Sequence, residues 1–219
     1  GHALHTRKLC EVLAEGGDAV DSVSPRSGYE PTSTHLSIVP VRFFGYSTLR
    51  LRAYRILLRR TLLRQIAAHR PDIIVHKLSP SLPTVVSVAR KTGVPLAIEL
   101  NGVLDGADTW DENMMREGLR ATRCLPRVLL IGVSPELGDR TRPLLGCREV
   151  EYRMFENGVD RALFSENVTA RPRSEFGIPE DAFVIGYLGA ANPKYDFDAL
   201  FAGAALAREA GLPVSFLIV

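Results

Sequence analysis

Asp72-Ile-Ile-Val-His-Lys-Leu78, then 81–92, then Pro95-Leu-Ala-Ile-Glu-Leu100 decide the fold. The first and third segments are short apolar runs, too short for helices and rich in β-branched residues, so they read as buried strands. Between them, 81–92 has the length of a helix. Two buried strands joined by a helix make a crossover unit, and continuous rather than alternating apolar strands point to a parallel sheet covered on both faces.

The same alternation extends in both directions. Upstream, 47–69 is a long helix with Leu51, Tyr54, Leu58 and Leu62 at helical spacing, ended by Pro71. Before it come strands at 35–41 and 19–23, then an opening helix at 5–16 stopped by Gly16-Gly17. Downstream, a Gly/Asp-rich loop fills 101–111. A helix at 112–123, a strand at 127–133, a helix opened by Pro135 and a strand at 149–155 follow. The stretch 157–180 is irregular. Alternation then restarts with a strand at 182–188, a helix at 196–210 and a strand at 214–219. We therefore expect an α/β protein with a first doubly wound domain at 1–156, a linker at 157–180, and the start of a second domain at 181–219. The chain opens at a helix and ends on an apolar strand. The expectation is a piece of a longer protein, lacking a first central strand and poorly folded and inactive by itself.

Composition narrows the function. The 219 residues are 46% hydrophobic and 24% charged, an ordinary balance that excludes wholesale disorder. No apolar run approaches the ~18–20 residues of a membrane span. Cys10, Cys124 and Cys147 show no CxxC pair, and His2, His5, His35, His69 and His76 show no metal-ligand spacing. The net charge of +2 is too small to imply nucleic acid. That charge is unevenly placed, however. Between Glu30 and Asp72 there is no acid, while Arg42, Arg50, Arg52, Arg55, Arg59, Arg60, Arg64 and Arg70 crowd the stretch. With the leucines of 47–69 inward, Arg52 and Arg59 fall outward beside Ile56 and Leu63. That surface suits an anionic membrane, or is a solvated helix face with snorkelling arginines.

In open parallel sheets, ligands bind beyond the carboxyl ends of the strands. Four places qualify. Gly1 precedes the first helix, where a glycine lets an anion approach free N–H groups or simply makes a turn. Glu99-Leu-Asn101-Gly102 follows a strand; it suits substrate contact, or an Asn-Gly turn with Glu99 paired in the core. Asn157-Gly-Val-Asp160, with Phe164 after it, is a third place or a capped turn. Gly186-Tyr-Leu-Gly189 leads to Asn192 and Lys194, where a glycine permits close approach and a lysine can neutralise a phosphate. His76, in its strand, reads as a core histidine. Ser134 lacks a GxSxG elbow, which disfavours a serine hydrolase.

In this order, the motifs resemble retaining glycosyltransferases of GT-B fold, most nearly glycosyltransferase family 4. Gly1-His2-Ala3-Leu4-His5 is similar to the second half of the family's G-G-x-x-x-H turn. Arg70-Pro71-Asp72-Ile73-Ile74-Val75-His76 resembles its R-P-D strand, and Glu99-Leu100-Asn101 its E-x-N variant. Asn157-Gly158-Val159-Asp160 with Phe164 resembles the N-G-V-D-x-x-x-F at the domain junction. The resemblance implies two Rossmann-like domains and transfer of a sugar from a nucleoside diphosphate sugar, which is a substrate, with no cofactor and no metal. The acceptor would be a glycan or lipid-linked molecule of cell-surface polysaccharide or glycolipid synthesis. Glu99 and Asn101 would be catalytic. Gly1, Gly189, Asn192 and Lys194 would hold the donor phosphates, and Arg52, Arg55 and Arg59 the acceptor or an anionic membrane surface. Nucleic acid is not an expected partner. The expected location is the cytoplasm, with the inner membrane face as an option. Two departures stand out: many members carry histidine where this chain has Asn101, and an arginine after the glycine where this chain has Ala190. These departures keep two alternatives open, a non-catalytic sugar- or nucleotide-binding relative and a sugar-nucleotide epimerase of the same fold.

Overall fold

A computed structural model describes residues 2–25, 30–31, 33–43, 45, 47–102, 104, 106, 109–145, 150–159, 164, 169, 171–189 and 196–219. The chain divides into two compact units, Gly1–Asn157 and Gly158–Val219. The fold is mixed α/β, and among the described residues every strand pairing is parallel.

In the first unit the elements run α1 (His2–Glu15), β1 (Val20–Pro25), β2 (Leu36–Val41), α2 (Thr48–His69), β3 (Ile74–Lys77), α3 (Leu82–Thr92), β4 (Leu96–Leu100), α4 (Trp110–Ala121), β5 (Val128–Gly132), α5 (Pro135–Thr141) and β6 (Glu151–Met154). Short 3-10 turns follow α4 at Thr122–Cys124 and α5 at Arg142–Leu145. The expected helix to residue 123 thus tightens into a 3-10 turn at its end, a usual way for the last carbonyls to find partners. Strands β3, β4, β5 and β6 form one sheet in that order, while β1 and β2 pair separately.

Strand β4 is buried along its whole length, with a strand on each side and residues of α3 and α4 packed against one face. Its Leu96, Ile98 and Leu100 pack with Leu82, Val85 and Ala89 of α3, Leu119 of α4 and Leu130 of β5. Each such burial contributes roughly 1.5–3 kcal/mol, which makes this cluster the main source of the unit's stability. Gly118 sets how closely α4 approaches α3. A methyl group there would lie 2.6 Å from Leu82 Cγ and 2.8 Å from its Cβ, with no room in a fully buried contact. On β6, the Tyr152 ring rests against Gly138 and its hydroxyl donates to the Ser134 carbonyl, fastening β6 to the start of α5.

Helix α2 packs on β1, β2 and α3. Of its predicted inward residues, Leu58 is buried, and Leu51, Tyr54 and Leu62 are half-buried. Tyr54 meets Phe43 edge to face at 5.4 Å between ring centroids. The helix ends on Arg70 in the left-handed conformation (φ 49°), whose N–H reaches the Ile66 carbonyl. His69 Nδ1 pairs with Asp21 and ties that end to β1.

The second unit contains a 3-10 turn at Arg173–Phe176, β7 (Phe183–Tyr187), α6 (Phe197–Glu209) and β8 (Val214–Ile218), with β7 and β8 paired. Tyr187, Phe197, Phe201 and Phe216 form a chain of ring contacts between the helix and the strands. Part of the stretch read as linker is ordered onto this unit: Arg173 donates to the Glu180 and Ala182 carbonyls.

Candidate functional site at the carboxyl edge of the central sheet

The alternation of β4 assigns its side chains. Leu96, Ile98 and Leu100 face α3 and α4, so Glu99 must point to the opposite face. There the register sets Glu99 beside Lys77 of β3 and Ile131 of β5. The Leu78 N–H donates to the Glu99 carbonyl at 2.8 Å, so the end of β3 is fastened to this point. Glu99 is only 8% exposed, and its carboxylate oxygen Oε1 is held in polar contacts. Oε1 accepts from the Asn101 amide nitrogen at 2.6 Å, and it lies 2.8 Å from His5 Nε2 on α1. Three residues from two distant stretches therefore share one oxygen. A carboxylate at the floor orients an amide and an imidazole whose other sides reach solvent; the His5 side chain is 41% exposed. Both groups bind the carboxylate, so the Asn101 carbonyl oxygen, the second N–H of its amide and the second ring nitrogen of His5 are left for a ligand. Such a set can hydrogen-bond hydroxyls.

His76, one residue before Lys77, lies on the other face of the same strand end, beside Ile98. Its Nε2 is 3.2 Å from Ser79 Oγ, and Ser79 in turn is 2.7 Å from Ser81 Oγ at the start of α3. Part of the residue reaches water, but the ring is hemmed in by protein atoms, and burial pulls its pKa down from 6.5 to about 4. The folded state therefore keeps this ring neutral where the unfolded chain would protonate it. Its stabilising contribution is complete above pH 6.5 and drains away as the pH falls toward 4. Comparing denaturant unfolding at pH 7 and pH 4.5, the protein should lose about 2–3 kcal/mol more than a His76→Asn variant does. Equal losses would show that His76 does not govern acid sensitivity.

Beyond Asn101 the chain passes through a loop to α4, and Glu112 of that helix holds it. Thr109 caps α4 by accepting from the Glu112 N–H, so the helix starts earlier than the expected residue 112. The Glu112 carboxylate, however, turns to the loop. It accepts from the Gly106 N–H at 2.7 Å and from Arg116 Nε and Nη2 at 3.0 and 2.6 Å. Arg116 Nη2 also reaches the Leu104 carbonyl at 3.3 Å. Gly106 sits at φ +77°, a conformation that favours glycine.

The structure thus brings Glu99 and Asn101 together and adds His5, which sequence reading placed in a motif without giving it a role. The signal was its position in the first turn of α1; the contact itself spans too much sequence to be read. Gly1, Asn192 and Lys194 lie outside the described residues, as does Asp160. Gly189, in the second unit, has φ +151° and bonds the Val219 carbonyl through its N–H. On α2, Arg52 and Arg59 are exposed, whereas Arg55 is half-buried. Its Nε donates to Thr84 Oγ1 at 3.0 Å and its Nη1 approaches Met114 Sδ, tying α2 to α3 and α4. Among the described residues, no three His, Cys, Asp or Glu side chains gather as a metal site would require. Nor is any described helix long and apolar enough to cross a membrane.

Residues 1–163, which hold this edge, match the profile described as Glycosyltransferase Family 4. The chain belongs to that family. No curated protein matches this member closely enough to compare. Among solved structures, it is similar to Os79 from O. sativa, determined in complex with UDP, with a TM-score of 0.55 and 15% identity. The alignment covers 96% of this chain and 63% of Os79, so the family member spans under two thirds of that protein's length. At this identity, the likeness is one of fold.

Proposed function

We propose that the protein transfers a sugar from a nucleoside diphosphate sugar to a hydroxyl of a glycan or lipid-linked acceptor, with retention at the anomeric carbon. The observation that carries this is the hydroxyl-binding cluster of Glu99, Asn101 and His5 at the carboxyl edge of a parallel sheet, in a chain of Glycosyltransferase Family 4. The UDP in Os79 supports a nucleoside diphosphate as the donor's leaving group. The donor would be held in a GT-B arrangement by Gly1, Gly189, Asn192 and Lys194, where N–H groups and an ammonium offset the charge gathering on the departing diphosphate. The amide of Asn101 is no base near neutral pH. In the retaining path, the acceptor oxygen bonds to the anomeric carbon on the face the phosphate leaves. The carbon–oxygen bond to phosphate breaks with its electron pair on the diphosphate, and the acceptor proton passes to that same phosphate oxygen. No cofactor is consumed.

Incubation with UDP-, GDP- and ADP-sugars and with glycan and prenyl-lipid acceptors tests this. Release of nucleoside diphosphate should match formation of a glycoside whose anomeric configuration is that of the donor. Absence of both product and nucleotide binding would overturn the reading, and an inverted product would overturn retention.

The acceptor side favours an anionic membrane surface at the cytoplasmic face. Arg52, Ile56, Arg59, Arg60 and Arg64 are exposed along α2, with Leu49 beside them at its start. Basic side chains contribute ~1 kcal/mol each near such a surface. The protein should pellet with phosphatidylserine vesicles and not with pure phosphatidylcholine, and an Arg52→Glu/Arg59→Glu variant should lose at least ~10-fold in vesicle affinity. Equal pelleting with both lipids, or none, would sink the membrane role.

A further inference from the structure

We propose that His5 touches the acceptor: its Nδ1 hydrogen-bonds an acceptor hydroxyl, and Glu99 is the residue that aims it. This rests on the transferase reading above and assigns a substrate contact within that site.

The argument starts from what the contact costs. A carboxylate taken out of water is expensive unless its partners repay it, and an apolar residue at the same position often stabilises as well or better. Glu99 is 8% exposed, yet the groups it binds are the tips of a half-exposed asparagine and a half-exposed histidine. Groups so placed can be satisfied by water and gain little from the pairing. Orientation, in contrast, is gained. With Nε2 at 2.8 Å from Oε1, the ring donates there, which fixes its orientation and leaves Nδ1 turned away from the carboxylate. Asn101 is fixed in the same way: its nitrogen is committed to Oε1 at 2.6 Å, so its carbonyl oxygen faces outward. An amide and a ring nitrogen set beside one negative charge suit neutral hydroxyls, which both donate and accept, better than phosphate oxygens. This corner therefore recognises the hydroxyl-bearing acceptor rather than the diphosphate of the donor.

Position agrees with chemistry. His5 lies in the first turns of α1, and Glu99 ends β4, at the edge where ligands of parallel sheets bind. Lys77 is aligned with Glu99 on the next strand and is the charged neighbour in the register.

The test separates recognition from scaffolding. In steady-state transfer, His5→Ala should raise the acceptor KM about tenfold, the scale of one lost hydrogen bond, while the donor KM stays within about twofold. His5→Gln, which can still donate to Glu99 and present an oxygen, should recover most of the loss. A lowered melting temperature with an unchanged acceptor KM would mean that His5 only fastens α1 to the sheet, and would overturn the proposal. A second measurement needs no turnover. The ¹⁵N imidazole signals of His5, assigned by their loss in His5→Gln, should shift when methyl hexopyranosides are added to the wild-type protein. If they do not, the contact is refuted. A wild type that transfers no sugar, yet whose His5 signals respond to the glycosides, would refute the transferase reading and leave the His5 contact standing.

Discussion

Glu112→Ala is expected to lower the unfolding free energy of the first unit by about 3 kcal/mol, with a fall of roughly 10 °C in its melting temperature. The Glu112 side chain is 7% exposed and that of Arg116 is 23% exposed. Removing the carboxylate leaves a largely covered guanidinium without its counter-charge and deprives the Gly106 N–H of its acceptor. Breaking one side of a buried pair costs ~3–5 kcal/mol when the remaining charge is fully covered; the partial exposure of Arg116 brings the value to the lower end. Replacing both partners, as Glu112→Leu with Arg116→Met, should cost much less than the sum of the single changes, because no charge is stranded. Urea unfolding of the four species closes the double-mutant cycle. A cost below about 1 kcal/mol for Glu112→Ala would show that the pair does not hold the loop.

The path from sequence to structure was clear wherever burial dictated pattern. Strands β3, β4 and β5 are short apolar runs between helices, and they lie adjacent, parallel and in chain order. Helix α2 followed from leucine spacing and Pro71. Glu99 and Asn101 were legible because a carboxylate at the end of an apolar strand must either find partners or meet a ligand. The partner His5 was not legible. Sequence pattern reports periodicity within an element, whereas the His5–Glu99 contact depends on how α1 lies across the sheet. The same limit hid the inward turn of Arg55. Helical phase alone places it near the edge of the buried face, and only the approach of Thr84 and Met114 from two other helices decides where its guanidinium goes. In the loop after β4, the helix expected from residue 112 starts two residues earlier, at Trp110, with Thr109 as its cap. Nor does sequence show that the Glu112 carboxylate reaches the Gly106 N–H, an arrangement shared with Arg116 one turn later.

Glu99→Ala should lower kcat/KM for sugar transfer by about 10²–10³-fold while costing little stability. One oxygen of Glu99 positions two groups, so its loss frees both at once. Asn101 can then rotate to present its nitrogen, and His5 can turn or swing into solvent. Each disoriented hydrogen bond accounts for about 1–1.5 kcal/mol, and a misplaced acceptor hydroxyl loses further rate through geometry, together about 3–4 kcal/mol of barrier. Stability should change by only about 1 kcal/mol, because both partners already reach water and the carboxylate's own desolvation cost disappears with it. Glu99→Gln separates charge from shape. Its amide oxygen can accept from one partner as before, yet its nitrogen is a donor facing donors, so it should recover no more than about a tenth of the wild-type rate. The measurement is kcat/KM for each variant beside its melting curve. A Glu99→Ala protein that transfers sugar at the wild-type rate would remove this cluster from the active site. One that unfolds outright would instead mark Glu99 as a structural anchor of α1 and β4. Only the combination of a preserved melt and a collapsed rate fits a carboxylate retained at a cost in order to aim two other side chains.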